Sequence, residues 1–131
     1  MGAFLWVAVG GALGSVARYG CSLMAVQWMG ESFAWAGTLI INVVGSFVIG
    51  FFATLTGPDG RVLASPDIRQ FVMVGICGGF TTFSSFSLQT LTLVREGDML
   101  RAGTNVVGSV VLCLVAVWLG YAGATALNQS R

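Results

Sequence analysis

The sequence has little charge and no histidine. Charged residues make up 8% of its 131 residues, compared with about 25% in soluble globular domains, and 56% of the residues are hydrophobic. So few charges cannot cover a water-facing surface, which excludes a soluble fold. They also leave little for acid–base catalysis, so we do not expect an enzyme. The net charge of +1 without a basic tract argues against nucleic acid as a partner.

Cysteine is scarce as well. Cys21, Cys77 and Cys113 are odd in number, lie within apolar runs and show no CxxC spacing. This pattern predicts reduced thiols, because neither a disulfide framework nor a cysteine metal site matches it.

Long uncharged runs dominate the rest of the chain. The runs at 32–58, 70–94 and 102–130 each exceed the roughly 20 residues that cross a bilayer core as a helix. They are continuously apolar and lack the alternation of barrel strands, so they favour helices. The sequence therefore predicts an all-α integral membrane protein of one domain, with spans near 3–29, 34–55, 68–94 and 100–127.

The arginines give no clear orientation in the membrane. Four spans place both termini on the same side, and short loops rich in Lys and Arg normally stay in the cytoplasm. Here the arginines are divided between Arg61, Arg69 and Arg131 on the side of the termini and Arg95, Arg101 and a snorkelling Arg18 on the other. Equal numbers predict insertion in both orientations, and a chance tie in a short chain is the alternative.

The third span contains an unusual cluster in its middle. Gly78 and Gly79 each weaken a helix by about 1 kcal/mol relative to alanine. Five hydroxyl residues follow within 81–87, and such side chains compete with helical hydrogen bonds. We therefore predict a break in the third helix near the bilayer midplane, with a simple kink as the alternative. Free backbone groups at such breaks hold ions in transporters.

Aromatic and polar side chains near this cluster are candidate ion ligands. Phe83 and Phe86 share a helix face, and the positive edges of their rings attract anions weakly, although packing is the alternative. Ser84 has the same spacing from Ser87 and offers a hydroxyl donor. Asn42, with Thr38 four residues earlier, places an amide in mid-span, where it either donates to an anion or bonds another helix.

Span four and the charges complete the candidate site. A polar stripe recurs every fourth residue at Asn105, Ser109 and Cys113. No Asp, Glu or His lies inside a predicted span, which excludes the usual proton relay and a carboxylate-lined cation path. Arg18, deep in span one, either snorkels or draws anions into a vestibule. Neutral donors, ring edges and one arginine indicate an anion as the permeant species.

Three motifs occur along the chain in a fixed order. They are Gly10-Gly11-x-x-Gly14-x-x-x-Arg18-Tyr19, Gly37-Thr38-Leu39-x-x-Asn42-x-x-Gly45 and Gly75-x-x-Gly78-Gly79-x-Thr81-Thr82-Phe83-Ser84-Ser85-Phe86. In these motifs, in length and in its four-span layout, the whole chain resembles the CrcB/Fluc family of fluoride channels.

The resemblance implies an antiparallel, dual-topology homodimer with two fluoride pores in the bacterial cytoplasmic (inner) membrane. It implies passive export that relieves fluoride toxicity. Each residue role that it implies is an expectation: Phe83 and Phe86 line the pore, Asn42 donates to the ion, Ser84 and Ser85 lie beside the pore, Arg18 lies near its mouth, and the main-chain carbonyls of Gly78 and Thr81 hold a sodium ion at the dimer centre.

Two other functions are alternatives to the channel. A small dual-topology exporter of organic cations is the main alternative, but such a transporter needs an intramembrane carboxylate. A non-transporting assembly subunit is the other, and it gives no reason for hydroxyls and phenylalanines beside a break. The small-residue pairs Gly10–Gly14 and Ser46–Gly50 predict only close helix packing.

Overall fold

The computed structural model describes residues 2–130, and within them all regular structure is helical. Arg131, one of the three arginines assigned to the side of the termini, lies outside the described residues. The helices are α1 (Gly2–Met29), α2 (Ala34–Leu55), α3 (66–80), α4 (Phe83–Arg95) and α5 (Met99–Gln129), and a short 3₁₀ turn at Glu31–Phe33 precedes α2.

Four helical stretches are long and apolar enough to cross a membrane, which confirms the prediction of an all-helical chain with four such segments. They are Gly2–Met29, Glu31–Leu55, Pro66–Arg95 and Met99–Gln129. The third stretch combines α3 and α4. The helices begin and end within about two residues of the predicted spans, because both depend on the same uninterrupted apolar runs.

Glycine allows α1 and α3 to approach closely. A Cβ built on Gly10 would lie 3.0 Å from the Cα of Gly75, and one built on Gly14 would lie 2.9 Å from the nitrogen of Phe80. These distances are too short for real side chains, so the close packing predicted for Gly10 and Gly14 is confirmed. Gly50 packs in the same way against Val117 of α5.

Helix α3 consists of three parts. Its N-terminus is capped by Ser65, whose hydroxyl accepts the N–H of Ile68 at 3.3 Å, and Pro66 occupies the first turn. The segment Gln70–Cys77 is π-helical, and Gly78–Phe80 returns to α-helix. The sequence did not predict the π-helical segment, which is a rare geometry that often accompanies functional sites.

The backbone is extended for two residues between α3 and α4. Thr81 has φ −83° and ψ 156°, and Thr82 has φ −154° and ψ 116°. Helix α4 then begins at Phe83, where the Thr82 hydroxyl accepts the N–H of Ser85 at 3.2 Å as an N-cap. The helical conformation is thus interrupted at Thr81, two residues after Gly79.

Candidate functional site

A cavity of about 450 Å³ lies among α2, α3, α4 and α5, and we call it the Asn42 cavity. It is lined by six of the predicted site residues: Asn42, Gly78, Thr81, Phe83, Phe86 and Ser109. The other four, Thr38, Ser84, Ser85 and Arg18, lie outside its lining. Residues far apart in the sequence therefore meet at one place, although their roles in conduction stay predictions.

The amide of Asn42 binds the main chain of Thr82 at both of its polar atoms. Its Nδ2 donates to the Thr82 carbonyl at 3.0 Å, and its Oδ1 accepts the Thr82 N–H at 2.8 Å. This pairing satisfies the extended backbone in the way that a neighbouring strand would. Because Nδ2 carries two hydrogens, one of them remains for a ligand after the bond to Thr82 is made.

The interruption changes the partners of two carbonyl groups. In a continuous α-helix the N–H of Thr82 would bond the carbonyl of Gly78, and the N–H of Ser85 would bond the carbonyl of Thr81. Here the Thr82 N–H bonds Asn42 and the Ser85 N–H bonds the Thr82 hydroxyl. The carbonyls of Gly78 and Thr81 thus lose their helical donors, and both residues line the Asn42 cavity.

Metal-binding side chains do not cluster in the part of the chain that the structure describes. Within 2–130 no cluster of three or more His, Cys, Asp or Glu could hold a metal. Unwound transporter helices coordinate sodium through main-chain carbonyls, so the carbonyls of Gly78 and Thr81 are the groups here that could hold a cation.

Arg18 belongs to α1, and its side chain reaches the C-terminal end of α3. Its Nε donates to the carbonyl of Gly79 at 3.1 Å, and the hydroxyl of Ser15 approaches the same oxygen at 3.5 Å. A helix C-terminus carries partial negative charge, so a guanidinium is favourable there. This contact adds a structural partner for Arg18 that the sequence did not indicate, and the predicted vestibule role stays a prediction.

The two phenylalanines are neighbours with very different exposure. Their ring centroids lie 5.1 Å apart with planes inclined at 49°. Phe86 is 9% exposed, whereas Phe83 is 77% exposed although it lines the cavity. The single chain therefore leaves the Phe83 wall of the cavity uncovered.

A chain of hydrogen bonds links α5 to the backbone of α4 behind Phe86. The Ser109 hydroxyl donates to Oδ1 of Asn105 at 3.4 Å, and Nδ2 of Asn105 donates to the hydroxyl of Thr90 at 2.9 Å. Thr90 in turn donates to the Phe86 carbonyl at 2.8 Å. Asn105 is 1% exposed, so this part of the predicted polar stripe is buried and satisfied.

Three of the predicted residues outside the cavity lining, Ser84, Ser85 and Thr38, are neighbours of residues that line it. The hydroxyls of Ser84 and Ser85 each lie 3.2 Å from the Thr82 hydroxyl, which holds Thr82 at the start of α4. Thr38 is buried one helical turn before Asn42. Sequence reasoning missed two polar residues of the lining, Thr82 and Ser46. Thr82 could have been found as a hydroxyl residue at the N-cap position of α4. Ser46 could have been found because it lies one helical turn after Asn42, on the same face of α2.

Comparison with known proteins gives consistent matches. The family described as "CrcB-like protein, Camphor Resistance (CrcB)" matches residues 5–121. A protein of Opitutus terrae named "Fluoride-specific ion channel FluC" is 64% identical over 131 residues, which cover 100% of this chain and 98% of the relative. Proteins of the same name from Rhodospirillum rubrum and Methylocella silvestris are 63% identical over 126 residues (96% and 97% covered) and 55% identical over 128 residues (98% and 97% covered).

Proposed function

Because this chain belongs to the CrcB family, we propose that it is a fluoride-selective passive channel and not an enzyme. The observation that carries this proposal is the 64% identity, over 131 residues, to a relative named as a fluoride-specific ion channel. The chain is a multi-pass membrane protein, and the membrane proposed for it is the bacterial cytoplasmic (inner) membrane. There it exports fluoride and relieves fluoride toxicity.

Export needs no coupling machinery. The predicted spans contain no carboxylate that would exchange protons for substrate. A negative-inside potential already drives anions outward, by about 2.3 kcal/mol per charge for each 100 mV. Passive flow through a selective path is therefore sufficient.

The Asn42 cavity is the proposed part of the fluoride path. Fluoride is small and strongly hydrated, so protein donors must replace the water that it loses in a narrow passage. Asn42 offers an amide hydrogen, and Phe83 and Phe86 offer the positive edges of their rings. Such weak contacts let the ion pass because they do not hold it tightly.

The extended pair Thr81 and Thr82 is the proposed break of the third spanning helix, within the bilayer. The carbonyls of Gly78 and Thr81 hold a sodium ion in this proposal. Its support is that both carbonyls lose their helical donors and that both residues line one cavity. Irregular backbone at membrane depth must be buried in protein or line a cavity, and this pair does the latter.

An antiparallel dimer of two oppositely oriented copies completes the proposed channel. Phe83 is 77% exposed although it lines the cavity, so in this proposal the second copy covers the exposed side of Phe83. The equal division of arginines between the two sides supports insertion in both orientations.

Fluoride release from liposomes tests the function. Purified protein is reconstituted in vesicles loaded with potassium fluoride or potassium chloride, and release is followed with ion-selective electrodes. The wild-type chain is expected to release fluoride and retain chloride. If no fluoride is released, the proposed function is wrong.

The same assay tests the aromatic lining. Phe83→Ile and Phe86→Ile are each expected to slow fluoride release by about tenfold, the equivalent of roughly 1.4 kcal/mol. Phe4→Ile is the matched control, since Phe4 is exposed on α1 and does not line the cavity. Wild-type rates in both cavity variants would contradict the aromatic lining while leaving the function in place.

A further inference from the structure

The hydroxyl groups of the Asn42 cavity differ in the availability of their protons. Four hydroxyl residues line it: Ser46, Thr81, Thr82 and Ser109. Each hydroxyl has one hydrogen to donate, and an anion needs a donor whose hydrogen is not already used. The internal hydrogen bonds therefore decide which of the four serves an anion.

Three of the four hydroxyls already donate within the protein. The bonds run from Thr81 to the Cys77 carbonyl (2.9 Å), from Thr82 to the Ser85 hydroxyl (3.2 Å) and from Ser109 to the Asn105 amide oxygen (3.4 Å). An anion that took any of these protons would have to break an existing bond first.

Ser46 is different. Among residues 2–130, its hydroxyl makes no hydrogen bond. Several helical hydroxyls donate to the carbonyl four residues earlier, as Ser22 does to Arg18 at 2.9 Å and Thr54 does to Gly50 at 2.8 Å. Ser46 does not do so, and it lines the cavity. Its proton is available at the cavity wall.

A second available donor lies one helical turn away. Asn42 uses one hydrogen of Nδ2 on the Thr82 carbonyl, and the other is free for a ligand. Residues four apart share a helix face, so the free hydrogens of Asn42 and Ser46 belong to the same face of α2. Both side chains line the same cavity.

We propose that Ser46 is a fluoride ligand that acts together with Asn42 as a two-donor site on α2. This assignment rests on the function proposed above and adds to it a binding residue. The neighbouring Gly45 has no side chain to occupy the space, and its position beside the methyl group of Thr81 keeps α2 close to the extended segment. The site therefore lies next to the interrupted backbone.

Ser46→Ala in the liposome assay is the first test. Hydrogen bonds to charged groups contribute enough that losing this one should slow fluoride release by roughly ten- to one-hundredfold. Ser22→Ala is the matched control, because that hydroxyl is bonded within α1 and does not line the cavity. Gel filtration and thermal unfolding in detergent establish that each variant is folded.

A second pair of variants separates the hydroxyl from the shape of the side chain. Threonine and valine have nearly the same volume, but only threonine has a hydroxyl. Ser46→Thr is expected to release fluoride much faster than Ser46→Val. Equal rates for the two variants, or a wild-type rate for Ser46→Ala, would overturn the assignment of Ser46. Failure of the wild-type protein to release fluoride would instead contradict the proposed function itself.

Discussion

Replacing Asn42 by alanine removes both hydrogen bonds that hold the main chain of Thr82 in its extended conformation. The amide accepts the Thr82 N–H at 2.8 Å and donates to the Thr82 carbonyl at 3.0 Å. Alanine does neither, so a part-buried donor and a part-buried acceptor lose their partners together.

The size of the effect follows from these two bonds. Hydrogen bonds between membrane helices contribute about 0.6 kcal/mol on average and about 1.7 kcal/mol at most, so two of them give roughly 1–3 kcal/mol. The freed N–H of Thr82 is also the donor that a continuous helix would direct to the Gly78 carbonyl. We therefore expect Asn42→Ala to be less stable and to favour helical backbone at Thr81 and Thr82, with loss of fluoride conduction.

Thermal unfolding in detergent and fluoride release from liposomes measure the two consequences. Asn128→Ala is the matched control, because the Asn128 amide also bridges two main-chain groups: it accepts the Arg61 N–H at 2.9 Å and donates to the Thr54 carbonyl at 3.2 Å. That bridge lies at the end of α5 beside exposed residues, where water can replace it, so a smaller loss is expected. An Asn42→Ala protein with the melting temperature and the fluoride release rate of the wild type would show that neither bond is needed for stability or conduction.

Two further predictions concern packing and topology. Gly14→Ala would place a methyl group 2.9 Å from the Phe80 nitrogen, so it should destabilise the protein by about 1–3 kcal/mol. Gly103→Ala, where nothing lies within 4 Å, should instead stabilise it by up to about 1 kcal/mol, and thermal unfolding compares the two. Reporter domains fused to the C-terminus should be found on both sides of the cell membrane, and a signal from one side alone would reject dual topology.

The position of the irregular backbone in the third span could be predicted from the sequence, but its geometry could not. Adjacent glycines followed by hydroxyl residues indicated a disturbance of the third span, and the structure has extended backbone at Thr81 and Thr82. The same reasoning missed the π-helical segment Gln70–Cys77, because nothing in its apolar composition distinguishes π from α hydrogen bonding. Local residue types indicate where an α-helix is destabilised, but they do not indicate which backbone conformation forms there instead.

Of the two proposed donors on α2, the sequence indicated Asn42 and did not indicate Ser46. Asn42 stood out in the sequence because an amide within an apolar span needs a partner. Ser46 was interpreted only as a small packing residue, because it lies four positions before Gly50 on the same helix face. Its availability as a donor became visible only from the hydrogen bonds that it does not make and from the cavity that it lines.

The four apolar helices follow from local composition, because membrane crossing depends on the hydrophobicity of about 20 consecutive residues. The sequence also contains the small-residue pairs that allow close packing. The pairing of Asn42 with Thr82, 40 positions away, and the contact of Arg18 with the carbonyl of Gly79, 61 positions away, exist only in the folded chain. These contacts depend on how the helices pack around the extended segment, and a local sequence pattern cannot indicate residues so far apart in the chain.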